Sequence, residues 1–274
     1  MTHLRPTRLL LLLLPFFSLL PLHAQLYEQS VRQIVEALAA DSLDRAKGLI
    51  VQAISLDPMR KSNAILYQYL GEIHQRQEEN DKALEAYGKG IDLSPTSPDL
   101  LLGRASLYMR LNNQERALSD YNKVLETNEN CEEALFFRAF ILSGKRRYKE
   151  ARSDYNRLLE LNPTHEDARL GLAILNGKDG RTREALETLD ALIRLYPTHV
   201  RHRLARCGLY EERKEYEKAM KDVQTAIELE PENPDCYLTR ASLYRAMKKK
   251  RLAAQDCRTA IKLGASPEQV LPLM

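Results

Sequence analysis

EEALFFRAFILSGKRRYKEARSDYNRLLELNP, residues 132–163, decides the fold. Leu135, Ala139 and Leu142 recur at helical spacing. The polar run Gly144-Lys145-Arg146-Arg147 interrupts them, and Ala151, Tyr155 and Leu158 resume the pattern. Pro163 closes the window, because its ring blocks a further helical turn behind it. The window therefore predicts two short amphipathic helices joined by a polar turn.

Shifted by 34 residues, the same pattern returns on both sides. Ala105, Tyr108, Ala117 and Tyr121 precede it, and Ala173, Ala185, Leu189 and Pro197 follow it. A fixed period of this length sets the whole architecture. Repeats are predicted at 64–97, 98–131, 132–165, 166–199, 200–233 and 234–264. A diverged first one at 27–60 is marked by Ala46, Ile50, Ala53 and Pro58, and three residues are inserted after it, at 61–63. Closing prolines stand at Pro95, Pro163, Pro197 and Pro231, with Glu129 and Ala265 in their place elsewhere.

On these residues the chain resembles the tetratricopeptide repeat family, over nearly all of 27–264. The resemblance implies an all-α fold, an α-solenoid of tandem helix–turn–helix repeats wound into a right-handed superhelix. Packing logic agrees. Small residues recur where helices must approach closely, at Gly71, Ala105, Ala139, Ala173, Cys207 and Ala241 on first helices and at Ala83, Ala117, Ala151, Ala185, Ala219 and Ala253 on second helices. Tyr87, Tyr121 and Tyr155 are expected to fill the space between neighbours. No helix pair buries its own apolar face, so stability is expected from stacking.

Composition bounds the function. Hydrophobic residues form 44% and charged residues 29% of 274, enough to bury a core. The formal net charge is +3, and Arg5 and Arg8 fall in an expected leader, so the remainder is nearly neutral. Such a chain lacks the basic field that nucleic-acid binding uses. Residues 1–24 run basic, apolar, small, ending at Ala24, which is the plan of a secretory signal peptide. The apolar run 9–20 is too short for roughly 30 Å of hydrocarbon, which takes about 20 residues. Export to the periplasm or cell envelope is the expectation, with 265–274 as a short tail. Whether Val270, Leu271 and Leu273 fold back over the last repeat or form an interface is left open by the sequence.

The repeats align the chain with itself. Arg104, Arg138, Arg206 and Arg240 hold the seventh place of four repeats, and the same four carry Asp120, Asp154, Asp222 and Asp256 at the twenty-third. The other three have neither. Arg and Asp occurring together predict an ion pair across each helix pair.

No Gly-x-Ser-x-Gly, His-Glu-x-x-His or phosphate loop occurs, so no catalytic residue and no cofactor is expected. His199 and His202 stand three apart with no acid or cysteine near them in sequence, and no metal site is expected there. His74 reads as a core histidine. Cys207 and Cys257 occupy core places and are expected as buried thiols, with a single bridge among Cys207, Cys236 and Cys257 left open. Lys145-Arg146-Arg147 and Lys248-Lys249-Lys250-Arg251 read as solvated turns.

The resemblance implies that first helices line a concave face, which here would be an apolar groove for a protein partner. Its expected residues are Leu102, Ser106, Met109, Phe136, Phe140, Leu170, Ile174, Leu204 and Leu238. Small Ser106 and Gly208 flank its centre. The carboxylate clamp known in the family does not carry over, since no Asn stands at the ninth places, which read Glu72, Ser106, Phe140, Ile174, Gly208 and Ser242. The function expected is a non-enzymatic interaction scaffold. The alternative is an assembly subunit docking through its C-terminal end or convex face. N-terminal sequencing of the envelope-fraction protein is expected to begin within a few residues of Gln25; an intact Met1 in the membrane fraction would mark an anchor instead.

Overall fold

A computed structural model of the protein describes residues 22–273. Nearly all of the expected leader lies outside them. About 80% of the structure is helical, with no strand among the described residues. The helices pair in sequence: α1 (Leu22–Ala39) with α2 (Leu43–Leu56), α3 (Asn63–Arg76) with α4 (Asn80–Leu93), and α5 (Pro98–Arg110) with α6 (Gln114–Thr127). They continue as α7 (Glu132–Gly144) and α8 (Tyr148–Leu161), α9 (Glu166–Lys178) and α10 (Thr182–Leu195), α11 (Val200–Glu212) and α12 (Tyr216–Leu229), then α13 (Pro234–Ala246) and α14 (Lys250–Lys262). A single turn, α15 (Pro267–Val270), and a 3-10 turn over Leu271–Leu273 end the chain. The described residues form two compact units, one reaching to Arg138 and one starting at Ala139.

Each first helix stops in the same way. One residue enters the left-handed region, and the N–H after it reaches back to the carbonyl five positions earlier, as Asn113 does to Tyr108 at 2.8 Å and Glu215 to Tyr210 at 2.8 Å. The left-handed residues are Asp41, Glu78, Asn112, Arg146, Gly180, Lys214 and Lys248. From Glu78 onward they stand 34 apart, so the turn repeats as faithfully as the core. Only Gly180 occupies that region without a steric cost.

Packing between repeats uses an aromatic ring against bare backbone. Tyr87, Tyr121 and Tyr155 are buried. In the N-terminal unit Tyr87 lies so close to α3 and α5 that a Cβ on Gly71 or Gly103 would stand 2.7 or 2.8 Å from its Cε1. In the C-terminal unit a Cβ on Gly171 would stand 2.6 Å from Tyr155 Cζ. Tyr121 meets Phe137 at the equivalent place, and the rings stack at 5.7 Å with 12° between planes. Around these rings the predicted small residues, among them Ala105, Ala117, Ala173, Ala219 and Ala241, are fully buried.

Both ends carry local anchors. The three inserted residues deliver Asn63, fully buried, to Tyr27: the Tyr27 hydroxyl donates to Asn63 Oδ1 at 2.9 Å, and Asn63 Nδ2 donates to the Asp57 carbonyl at 2.7 Å. Arg60 covers the Tyr27 ring at 3.9 Å. At the other end Gly264 turns the chain at φ +100°, and Ser266 and Gln269 form a capping box on α15. Val270 is buried there, and Leu273 packs on the cluster of Ala241, Ala253, Cys257 and Ala260. The tail therefore folds back over the last repeat. All four cysteines are free thiols, and Cys207, Cys236 and Cys257 are buried. Burial pushes the Cys207 and Cys236 thiols up to about 12 and about 11.

Two glycines give opposite expectations. Gly171→Ala forces a methyl group into the Tyr155 ring and is expected to lower stability by about 1–3 kcal/mol. Gly208 lies inside α11 with nothing within 4 Å of an added Cβ, so Gly208→Ala is expected to raise stability by up to about 1 kcal/mol. Urea unfolding of both variants measures the two signs.

Candidate functional site: the face of the first helices

First helices of successive repeats lie against one another within each unit, α3 on α5 in the N-terminal unit, α9 on α11 and α11 on α13 in the C-terminal unit. The candidate groove residues stand on the first helices α5, α7, α9, α11 and α13. On α5, Leu102, Ser106 and Met109 are half-buried, as is Phe136 on α7, whose ring meets Phe137 edge-on at 5.2 Å and 77°. In the C-terminal unit Leu170, Leu204 and Leu238 are half-buried because they also pack on core clusters: Leu170 beside Ala173 and Leu189, Leu204 beside Cys207 and Val223, Leu238 beside Ala241 and Cys257. Phe140 and Ile174 differ. They are 51% and 38% exposed and hold the same place of successive repeats. A phenylalanine exposing half its surface gains little from the fold, so packing alone does not account for it.

The arginine places hold ion pairs across their helix pairs. Arg104 Nε and Nη2 donate to Asp120 at 2.8 Å each. Arg206 grips Asp222 the same way at 2.8 and 2.6 Å, and Arg240 grips Asp256 at 2.8 Å twice. The carboxylates are buried while the guanidinium groups are about one-fifth exposed. The hydrogen bond to Asp222 is the first cause raising the Arg206 pKa. A third contact runs to the preceding repeat: Arg206 Nη1 donates to Asp190 at 2.5 Å, Arg240 Nη1 to Gln224 at 3.1 Å and Arg138 Nη1 to Asn122 at 3.2 Å. Each of these three arginines thus reaches sixteen residues back, into the repeat before its own. Arg138 and Asp154 stand on opposite sides of the division between the two units.

Two further side chains make contacts that the repeat pattern does not point to. Phe137 stacks on Tyr121 at the place that glycine holds in two other repeats; the sequence signal was the glycine at 103 and 171, each sixteen residues after a tyrosine. The second is Glu166. The expectation that no acid stands near His199 and His202 is corrected, because α9 starts at Glu166 and brings its carboxylate beside both histidines from the preceding repeat. His74 is buried, with Nδ1 2.5 Å from Glu79 Oε2. The hydrogen bond from Lys82, followed by that with His74, holds the Glu79 carboxyl at about 2.

Family models of the tetratricopeptide repeat match residues 70–134, 102–166, 142–207 and 208–233, without a gap from 70 to 233. No curated protein matches the sequence. Among solved structures, a tetratricopeptide repeat protein from Parabacteroides merdae is 28% identical with a TM-score of 0.79, over 91% of this chain and 97% of that one. YrrB, described as a TPR protein with an unusual peptide-binding site, is 21% identical with a TM-score of 0.57, over 68% and 95%. PilF of Pseudomonas aeruginosa is 18% identical with a TM-score of 0.56, over 77% and 97%. The last two share the fold at that identity. Among the described residues no helix is long and apolar enough to cross a membrane.

The clamps are expected to behave as coupled pairs. Arg240→Ala leaves the Asp256 carboxylate buried without its fork and is expected to cost about 3 kcal/mol, as is Asp256→Ala. The double variant is expected to cost at least about 1 kcal/mol less than the two losses together, read as the coupling energy of a thermodynamic cycle in urea.

Proposed function

The chain belongs to the tetratricopeptide repeat family, and from that premise we propose that it is a non-enzymatic interaction scaffold of the periplasm or cell envelope, holding an extended or helical segment of a partner protein on the face of its first helices. Proteins of this fold generally serve as protein-interaction modules. The observation that carries the reading is the exposed pair Phe140 and Ile174 at one place of successive repeats. An apolar segment laid over them would remove both side chains from water, and a few such buried anchors usually dominate an interface. Leu170, Leu204 and Leu238, partly committed to the core, form fixed walls that lose little entropy on binding. Open space over Gly208 leaves room for partner side chains. Location outside the cytoplasm rests on the leader reading.

A second reading, an assembly subunit, is favoured by a different observation. Leu161, Leu195 and Leu229 end successive second helices 34 residues apart and are all exposed. The C-terminal end is less suited to docking, because Val270 and Leu273 already cover it.

Crosslinking in the native envelope separates the two. Phe140→Arg with Ile174→Arg puts charge where a segment must desolvate, and is expected to cost at least about 2 kcal/mol, roughly thirtyfold in affinity, with an unchanged thermal midpoint. Loss of the wild-type partners on a folded variant supports the face of the first helices. An unchanged partner set overturns it, and loss only in Leu195→Arg with Leu229→Arg transfers binding to the second-helix ends.

A further inference from the structure

We propose that Glu166, His199 and His202 form a binding site for a divalent transition-metal ion of the zinc class, joining two successive repeats of the C-terminal unit. The ligand atoms of the three side chains all lie within 4.8 Å of one another. His199 Nδ1 is 2.8 Å and His202 Nε2 is 3.1 Å from Glu166 Oε1. An ion with donors at about 2.0–2.2 Å needs neighbouring donors roughly 3–3.5 Å apart. Two of the three edges are therefore close to that already. The third closes by rotation of His199, whose side chain is about half exposed.

His202 supplies the independent sign of a ligand. Its side chain is 0% exposed, and neither ring nitrogen has a hydrogen-bond partner. The approach of Nε2 to Glu166 is near in distance but lacks hydrogen-bond geometry. A buried imidazole left in this way costs free energy, and native proteins rarely leave it so without a ligand or a task. Tyr196 packs against both histidine rings, at 5.3 Å from His199 and 5.9 Å from His202, and orients them.

Two imidazoles and one carboxylate select the class of ion. Calcium and magnesium require mostly oxygen donors, whereas zinc, cobalt, nickel and copper accept this set. Three protein donors with His199 at the surface leave a fourth position for water. One feature opposes binding. Arg201 hydrogen-bonds Glu166 Oε1 through Nη2 and Asp167 Oδ1 through Nη1, so its charge already neutralises the carboxylate. An incoming cation must displace the guanidinium, which keeps Asp167 as its partner. Arg201 is thus a competitor built into the site, and removing it is expected to strengthen the ion's hold.

The test uses the full chain without a histidine tag, stripped with chelator, then titrated with Zn²⁺ by calorimetry and with Co²⁺ by absorption. Expected are one Zn²⁺ per chain, a rise in thermal midpoint on binding, and a Co²⁺ spectrum without a thiolate band. His199→Gln, at an exposed position, is expected to weaken Zn²⁺ binding at least tenfold with an unchanged midpoint of the metal-free protein. Arg201→Gln keeps all three donors and is expected to tighten it several-fold. Absence of stoichiometric binding in both the wild type and Arg201→Gln overturns the proposal. So does an affinity that His199→Gln leaves unchanged, or a thiolate band assigning the ion to cysteine.

Discussion

Close approach of neighbouring helices at residues with little or no side chain is the constraint on which the molecule depends. A helix pair of 13 or 14 residues per arm cannot bury its apolar surface alone. It does so only by presenting that surface to the next pair, and each contact must be tight enough to exclude water. Tyr87 against Gly71 and Gly103, and Tyr155 against Gly171, show how this is reached: a large ring occupies the volume that a side chain has vacated. The alanines around them set the same spacing. Where Phe137 replaces glycine, the ring of Tyr121 stacks on it instead, and the contact survives in another form.

The arginine forks are the polar counterpart of those rings. A guanidinium with five donors can hold one carboxylate with two of them and still reach another repeat with a third. Arg206 does so with Asp222 and Asp190, and Arg240 with Asp256 and Gln224. Desolvation makes such buried pairs poor sources of net stability, but an expensive loss when one partner goes. Their contribution is geometric. They tie one helix pair to the pair before it, as Arg206 and Arg240 do in the C-terminal unit.

How much could be read beforehand follows from the range of each interaction. The 34-residue period made the helix pairs legible, since every repeat reports the same pattern independently. The sixteen-residue spacing of Arg and Asp was legible for the same reason, because four copies varied together. Features made once were not. Glu166 reaches His199 and His202 from the preceding repeat, 33 and 36 residues earlier, and no other repeat carries that trio. The fold-back of Val270 rests on one capping box beyond the last repeat. The fifth place reads in sequence as a half-buried packing position, and Leu170, Leu204 and Leu238 are half-buried there, so these leucines alone mark no groove. Exposure separates Phe140 and Ile174 from them, and exposure belongs to the assembled structure.

The buried thiols have a consequence for motion. Cys207 lies in the sixth helix pair, and Cys236 and Cys257 lie in the seventh, all shielded from solvent and held protonated by their surroundings. A thiol reagent can reach them only when the local structure opens, and then at a rate set by that opening. The chain therefore carries natural clocks near its C-terminal end. They would time the fraying of the last pair separately from the pair before it, with the partly exposed Cys131 as the reference that reacts without waiting.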